Sequence, residues 1–284
     1  MIKKIGVLID TNIINDTNIN GPCLIKVPDF ILNKLGNYYL YFAHHHGKYI
    51  RMAYSDNIFG PYTIFNGGVL SLDTNHGLDH VASPHVIIKN NKLIMYYHSY
   101  NKTKKNQITY QAKSTDGINF VSTNNIIPYP YFSCFNYKKK KYGLAMKMKS
   151  NQIIYNYNTN NNKFIEFCNL LPDTRHCFIK EINKKLYAFY SIVGDCPEHI
   201  CYCEIIYNKN NFIALENKSL IFPELEYEHG NTLPIKSKYG AEYKKINQLR
   251  DPYIYIENDI VYILYTTCGE QGIAIAIIHN QAFS

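Results

Sequence analysis

The 284-residue sequence predicts an all-β fold, a five-bladed β-propeller whose ring is closed by the N-terminal strand. Three observations lead there. One outline, a short polar or charged start, a β-rich run, a polar turn and a second β-rich run, recurs five times in phase. The composition favours strands, with 27 Tyr and 14 Phe beside abundant Ile and Val and no Trp. The length suits a closed all-β architecture as a single domain over residues 1–284. A β-sandwich also shows alternating short strands, but repetition in phase favours the propeller.

The elements follow in order. Residues 5–9 read as one short strand, followed by a polar stretch to Asn20. Unit one has strands at 21–27, 38–43 and 49–54, a turn at 33–37, the loop His44-His45-His46-Gly47, and a return at 62–65. Unit two runs through 83–88, 93–98, 108–113 and 119–121, and unit three, weaker, through 131–137, 142–148, 152–157 and 163–167. Unit four has strands at 175–179, 186–193 and 200–206. Unit five is the hairpin from Asn247 to Glu270 plus 272–278, three strands to which 5–9 supplies the fourth. The segment 207–248 exceeds a blade connection. Most of it reads as an outer strand, at 212–214 or 219–222, and a long loop, with a lid over one mouth of the channel as the alternative.

Charge and cysteines narrow the class. The net charge of +8 comes from lysines spread through turn-like segments such as 102–105 and 138–141, which fits a solvated face better than a nucleic-acid groove. The eight cysteines show no CxxC or zinc-type spacing and several sit in apolar runs, so free buried thiols in a reducing compartment are expected. The N-terminal apolar run stops at Asp10, too short for a signal peptide, and no segment reaches membrane-span length. The expectation is a soluble cytoplasmic protein of undetermined oligomeric state, without membrane or nucleic-acid partners, cofactor or metal.

In an up-and-down blade, the start of strand one and the loop from strand two to strand three lie on one face. The turns from strand one to strand two, at 33–37, 89–92, 138–141, 181–185 and 257–259, lie on the other and read as ordinary polar turns. The first face gathers Asp79, His80, Ser83, Arg175, His176, Arg250 and Asp251 from strand-one starts. From the two-to-three loops it takes His44, His45, His46, His98, Lys147, Asp195, Glu198 and Glu270. Carboxylates, imidazoles and guanidiniums converging on one mouth outline a polar small-molecule site. Singly, Asp251 before Pro252 and Asp195 read as turn residues, and Arg175 as a structural ion-pair partner. Three adjacent histidines on an extended backbone cannot all face one ion, which argues against a metal.

Asn20-Gly21-Pro22, Ala43-His44-His45, Ala82-Ser83-Pro84, Arg175-His176, Gly194-Asp195-Cys196-Pro197-Glu198 and Leu249-Arg250-Asp251-Pro252 together resemble the five-bladed propeller glycosidases of glycoside hydrolase family 43, in an uncharacterised bacterial branch. The resemblance spans nearly the whole chain. It implies a glycosidase acting on a small glycan or oligosaccharide in the central funnel. The family pattern places aspartates at the starts of blades one and two and an acid glutamate in blade three. Here Gly21 and Ser83 take the first two places, and no glutamate lies near 131–135.

A hydrolase of this kind needs one carboxylic acid and one carboxylate. The candidates are Asp79, Glu198, Asp251 and Glu270, with Glu198 as the acid and Asp251 or Asp79 as the base. Arg175 and Arg250 are expected to hold substrate hydroxyl or carboxylate groups. His45, His46, His85 and His176 would add hydrogen bonds or replace a missing acid, and Ser83, Asp195 and Glu270 would complete the substrate site. The alternatives are a carbohydrate-binding propeller without catalysis and a metal-dependent enzyme using the histidines.

Overall fold

A computed structural model describes residues 2–74, 79–147, 151–279 and Phe283. The chain opens with β1 (Ile2–Asp10) and a one-turn helix α1 (Thr11–Ile14), whose first turn is capped by the Asp10 carboxylate accepting from the Ile13 amide at 2.9 Å. Blade one comprises β2 (Asn20–Lys26), β3 (Tyr38–Ala43), β4 (Tyr49–Ser55) and the short β5 (Thr63–Ile64) and β6 (Leu70–Ser71), both paired with β4. Blade two follows as β7 (Ala82–Lys89), β8 (Lys92–Asn101), β9 (Asn106–Ser114) and β10 (Val121–Ile127). Blade three is β11 (Ser133–Tyr137), β12 (Lys140–Lys147), β13 (Asn151–Asn158) and β14 (Lys163–Asn169). Blade four is β15 (Phe178–Ile182), β16 (Lys185–Tyr190) and β17 (Ile200–Asn208), with β18 (Asn211–Ala214) and β19 (Lys218–Ile221) both on β17.

Blade five is β20 (Arg250–Glu257), β21 (Ile260–Thr267) and β22 (Gly272–Ile278), and its outermost strand is β1. The β1–β22 pairing runs from Ile2 opposite Ile278 to Asp10 opposite Gly272, so the two ends of the described chain share one antiparallel sheet. This is the expected closure. It covers an edge of blade five that would otherwise be open to other chains. The innermost strands ring the axis, β2 packing on β7 and β20, and β15 on β11 and β20.

The blades pack through tyrosine and phenylalanine, which fill the volume between sheets. Tyr96, Phe132 and Tyr155 form one cluster joining blades two and three. Phe135, Tyr142, Tyr190 and Phe212 form another between blades three and four, with Cys177, Cys201 and Cys203 among them. All eight cysteines are free thiols. The largest cluster joins blades four, five, one and two around Tyr39, Tyr41, Phe42 and Tyr265, all fully buried.

Several expected boundaries shift. The fourth strand of blade two extends to Ile127 although residues 122–125 are polar, because β10 is an outer strand with one face exposed. Both expected outer strands of blade four form, one after the other on β17. The strand expected at 142–148 ends at Lys147, and its last position lies outside the described residues. Among the described residues, no helix is long and apolar enough to cross a membrane.

Candidate functional site

The mouth is shaped by a repeated backbone device. In three innermost strands the second residue is in the left-handed region and is followed by proline: Gly21 (φ 59°), Ser83 (φ 48°) and Asp251 (φ 50°). Pairing breaks at each, between Asn20 and Cys23, Ala82 and His85, and Arg250 and Tyr253. A bulge frees a residue from the ladder and re-aims its side chain, and proline, which cannot donate, fits there. Tyr131, just before β11, has the same backbone sign (φ 58°). Glycine is favoured at 21, where a Cβ would stand 3.1 Å from the Ser83 Cα on a left-handed backbone.

These starts put one residue from each blade on a common rim: Gly21, Ser83, Tyr131, His176 and Asp251, which line one small chamber. Asp251 is 3 % exposed, and its Oδ1 bonds the His176 Nδ1 while its Oδ2 accepts from the Gly21 amide at 3.2 Å. The other imidazole nitrogen, Nε2, lies 3.2 Å from the Ser83 hydroxyl. The Tyr131 ring stands 4.1 Å from that of His176 and 4.4 Å from that of His98. From His98 the row of rings continues to His80 (5.3 Å), then His46 (6.1 Å), then His45 (5.2 Å). Burial pushes the His98 imidazole well down, and the neighbouring histidines add to this. It also lowers His80, against the pull of Asp79. Burial raises the Tyr131 phenol, helped by the charges of Asp251 and Glu270. These groups are neutral hydrogen-bonding surfaces at pH 7.

Beside the rim lies a buried ion network. Glu198 is 0 % exposed, takes two bonds from Arg175 (Nε at 2.7 Å, Nη2 at 3.2 Å), and accepts from the Ser191 hydroxyl at 2.6 Å. Arg250 Nε stands 3.2 Å from its second oxygen, within ion-pair range but without hydrogen-bond alignment. Arg250 also donates to Glu270 at 3.0 Å and to Gln248 at 2.6 Å. Glu270 accepts from Asn18 at 2.6 Å and lies 3.7 Å from His45. Burial alone would raise the Glu270 carboxyl, but His45, Arg250 and Asn18 outweigh it and hold it down to about 2.

The long segment after β19 covers this network with backbone carbonyls. Lys238 O accepts from Arg175 at 2.6 Å, Gly240 O from Arg250 at 3.4 Å, Ile235 O from Gln248 at 3.0 Å, and Glu242 O from Asn18 at 3.1 Å.

The expected site residues therefore divide. Asp251, His176 and Ser83 come together on the rim, with His45 and His46 at the far end of the ring row. Glu198 has no face open to a ligand, the guanidiniums of Arg175 and Arg250 are engaged by protein acceptors, and Glu270 is engaged by the donors Arg250 and Asn18. Asp79 is 55 % exposed and bonds His80 (2.7 Å) and the Tyr100 amide (3.3 Å). Asp195 lies 3.6 Å from His199, with burial raising its carboxyl.

His85 stands below the rim. Its Nε2 accepts from the Cys134 amide at 3.1 Å, and burial, aided by Lys141 and Lys180, pulls its pKa down to about 3. With Phe178 and Tyr253 it borders both the rim chamber and a larger one of about 650 Å³ beyond. That larger chamber, lined by Lys26, Lys89, Lys141, Lys180 and Glu181, opens where ordinary turns were expected.

Tyr131 was not among the expected site residues. Its place in phase with Gly21, Ser83 and Asp251 is the signal that marks it. Among the described residues, the one group with metal-ligand spacing is Asp195, His199 and Cys201, their ligand atoms within 4.8 Å of one another. His199 turns Nδ1 toward Asp195 and Nε2 toward Cys201 at 3.4 Å.

Solved structures share this architecture along its length. A family-43 β-xylosidase/α-arabinofuranosidase from a compost microbial metagenome, in complex with xylotriose, superposes with a TM-score of 0.66 over 98 % of this chain and 96 % of its own, at 12 % identity. A Xanthomonas citri enzyme complexed with xylotriose gives 0.66 over 98 % and 91 %, at 10 % identity. The fold is that of the family-43 glycoside hydrolases. Gly21 and Ser83 stand at the starts of blades one and two, the places where the resemblance implied aspartates. By sequence, the chain is 29 % identical to an uncharacterized protein of Acanthamoeba polyphaga mimivirus, over 92 % of this chain and 83 % of the relative. No family model matches the sequence.

Proposed function

We propose that the protein is a glycan-active hydrolase that binds a small oligosaccharide across the mouth, with proton transfer carried by the His176–Asp251 pair. The observation that carries this reading is the bond from Asp251 to His176 Nδ1 on the partly open rim of a family-43 fold. It fixes the imidazole tautomer and leaves Nε2 to take and return a proton. The structural neighbours named as xylotriose complexes support a short oligosaccharide as the ligand class.

Of the expected carboxylates, Asp251 keeps a direct role. Glu198 and Glu270, with Arg175 and Arg250, act by holding the rim. Ser83, Tyr131, His80, His98 and His46 offer hydroxyls, imidazoles and ring faces suited to sugar hydroxyls and C–H surfaces. No cofactor or metal enters the scheme.

Titration calorimetry of the full chain with xylo-oligosaccharides, and NMR of the products, tests this reading. Saturable binding with turnover that falls at least about 100-fold in His176→Gln is expected. Absence of both binding and turnover would sink it. The engagement of Glu198 and Glu270 by arginines favours one second reading, a carbohydrate-binding propeller without catalysis. Binding with no product of any kind would establish that alternative.

A further inference from the structure

We propose that Ser83 is a nucleophile and that Ser83, His176 and Asp251 form a triad that removes a small acyl group, of acetyl size, from an oxygen of the bound sugar. Only the sugar as carrier rests on the reading above; the triad stands on its own geometry.

The three groups are linked in the order that acyl transfer requires. The Ser83 Oγ lies 3.2 Å from His176 Nε2, the opposite ring nitrogen bonds the Asp251 Oδ1, and the second Asp251 oxygen is fixed by the Gly21 amide at 3.2 Å. Such triads occur on unrelated folds and in different chain orders, so they are recognised by geometry. The three residues come from blades two, four and five, and the carboxylate anchor comes from blade one.

Ser83 sits at φ 48°, just before Pro84 and inside a bulge. Holding a non-glycine residue there costs free energy, about 1–3 kcal/mol, and a strained turn is how a nucleophilic serine is made to project. Serine and histidine are both partly exposed while the carboxylate is buried, which suits attacking, shuttling and orienting groups respectively.

The chamber beside the triad sets the size of the acyl group. It holds about 50 Å³ and is lined by Pro22, Pro84, Phe132 and Pro252 as well as the rim residues. At about 10–15 Å³ of such space for one water-sized group, the chamber takes a few heavy atoms, enough for a two-carbon acyl group. The sugar would then remain on the outer side, along the row of rings.

In the first half-reaction the Ser83 oxygen bonds to the ester carbonyl carbon as its proton passes to His176 Nε2. The carbon–oxygen bond to the sugar then breaks, and the sugar oxygen takes that proton. In the second half, water gives a proton to Nε2 and its oxygen attacks the acyl-serine. The proton returns to Ser83 and the carboxylic acid leaves. The sum is ester plus water giving acid plus alcohol, with no further reactant.

The test uses the full chain with a fluorophosphonate probe, peptide mapping by mass spectrometry, and acetate release from acetylated xylo-oligosaccharides. A single adduct on Ser83 is expected, absent in Ser83→Ala, with acetate release down by about 10³-fold or more in both Ser83→Ala and His176→Gln. Ser83→Cys keeps a nucleophile at this position, and its thiol should alkylate faster than the same thiol in the His176→Gln background. No adduct on Ser83 in folded wild-type protein, or acetate release unchanged in Ser83→Ala, overturns the proposal. An adduct without oligosaccharide binding keeps the triad and removes the glycan as its substrate. Oligosaccharide binding without an adduct removes the triad and leaves the glycan reading standing.

Discussion

The two ends of the central channel handle charge in opposite ways. At the mouth, Arg175, Glu198, Arg250 and Glu270 form a continuous buried network, capped by the carbonyls of Lys238 and Gly240. At the other end four lysines meet one chamber. Lys26 pairs with Glu257 at 2.6 Å, while Lys89 and Lys141 lie over the Tyr157 ring at 5.5 and 5.3 Å. Burial lowers the proton affinity of Lys180. The rings of His85, Phe178 and Tyr253 lie between the two ends. Removing one partner of a buried charge pair strands the other, whereas Lys26, 61 % exposed in its pair with Glu257, and the two lysines resting on an aromatic ring can be released to water at little cost. The mouth is therefore the end whose charges are the more costly to separate, which suits the proposed alignment of three side chains from three blades.

The sharpest way to break this contrast is to remove one charge from each end. Glu198→Ala leaves two buried guanidiniums without their shared carboxylate, and a loss of about 3–5 kcal/mol is expected. Glu181→Ala at the far chamber should change stability by no more than about 0.5 kcal/mol. Urea unfolding of both variants gives the comparison. Similar losses would show that the mouth network is not what holds the rim.

Acid titration separates the ends next. The folded Glu270 carboxyl lies at about 2, against 4.5 for the free group. A depressed carboxyl contributes stability that is fully present above its unfolded value and lost as pH falls through the folded one. The shift corresponds to about 3 kcal/mol. The advantage of wild type over Glu270→Gln should therefore shrink by about that amount between pH 6 and pH 2, measured by denaturant midpoints. A constant difference across that range would mean that His45, Arg250 and Asn18 do not stabilise the carboxylate.

How much of this was legible in the sequence depends on spacing. The blades were readable because turns and β-rich runs recur in phase, and Asp251 was readable because its charge and Pro252 open the last unit. Tyr131 occupies the same phase but looks like one more strand aromatic in a chain with 27 tyrosines. Glu198 looked like a free acid because Arg250, which stands beside it, lies 52 positions away and on another blade. His85 follows Ser83 by two, which in a regular strand would put both on one face. The bulge between Ala82 and His85 breaks that alternation and sends the imidazole below the rim. The basic chamber was missed because Lys26, Lys89, Lys141 and Lys180 each sit near a polar turn, and only ring closure brings four such ends together.

Lys180 gives the smallest and most selective test. With its pKa lowered by burial from 10.5, the charged form is less favourable in the folded chain than in the unfolded one. The sign follows from linkage: the penalty is constant while both states are protonated, and it fades as pH rises from the folded value toward the unfolded one. Lys180→Met keeps the length of the stem and removes the charge, so at pH 7 it should be neutral or stabilising by about 1 kcal/mol. By pH 10 the wild type should have closed part of that gap. Urea unfolding of the pair at the two pH values measures it, and the difference cancels the titration of the many tyrosines they share. A variant less stable than wild type at pH 7 would mean that the ammonium makes a favourable contact in the chamber. The two ends of the channel would then be alike in using charge to hold structure.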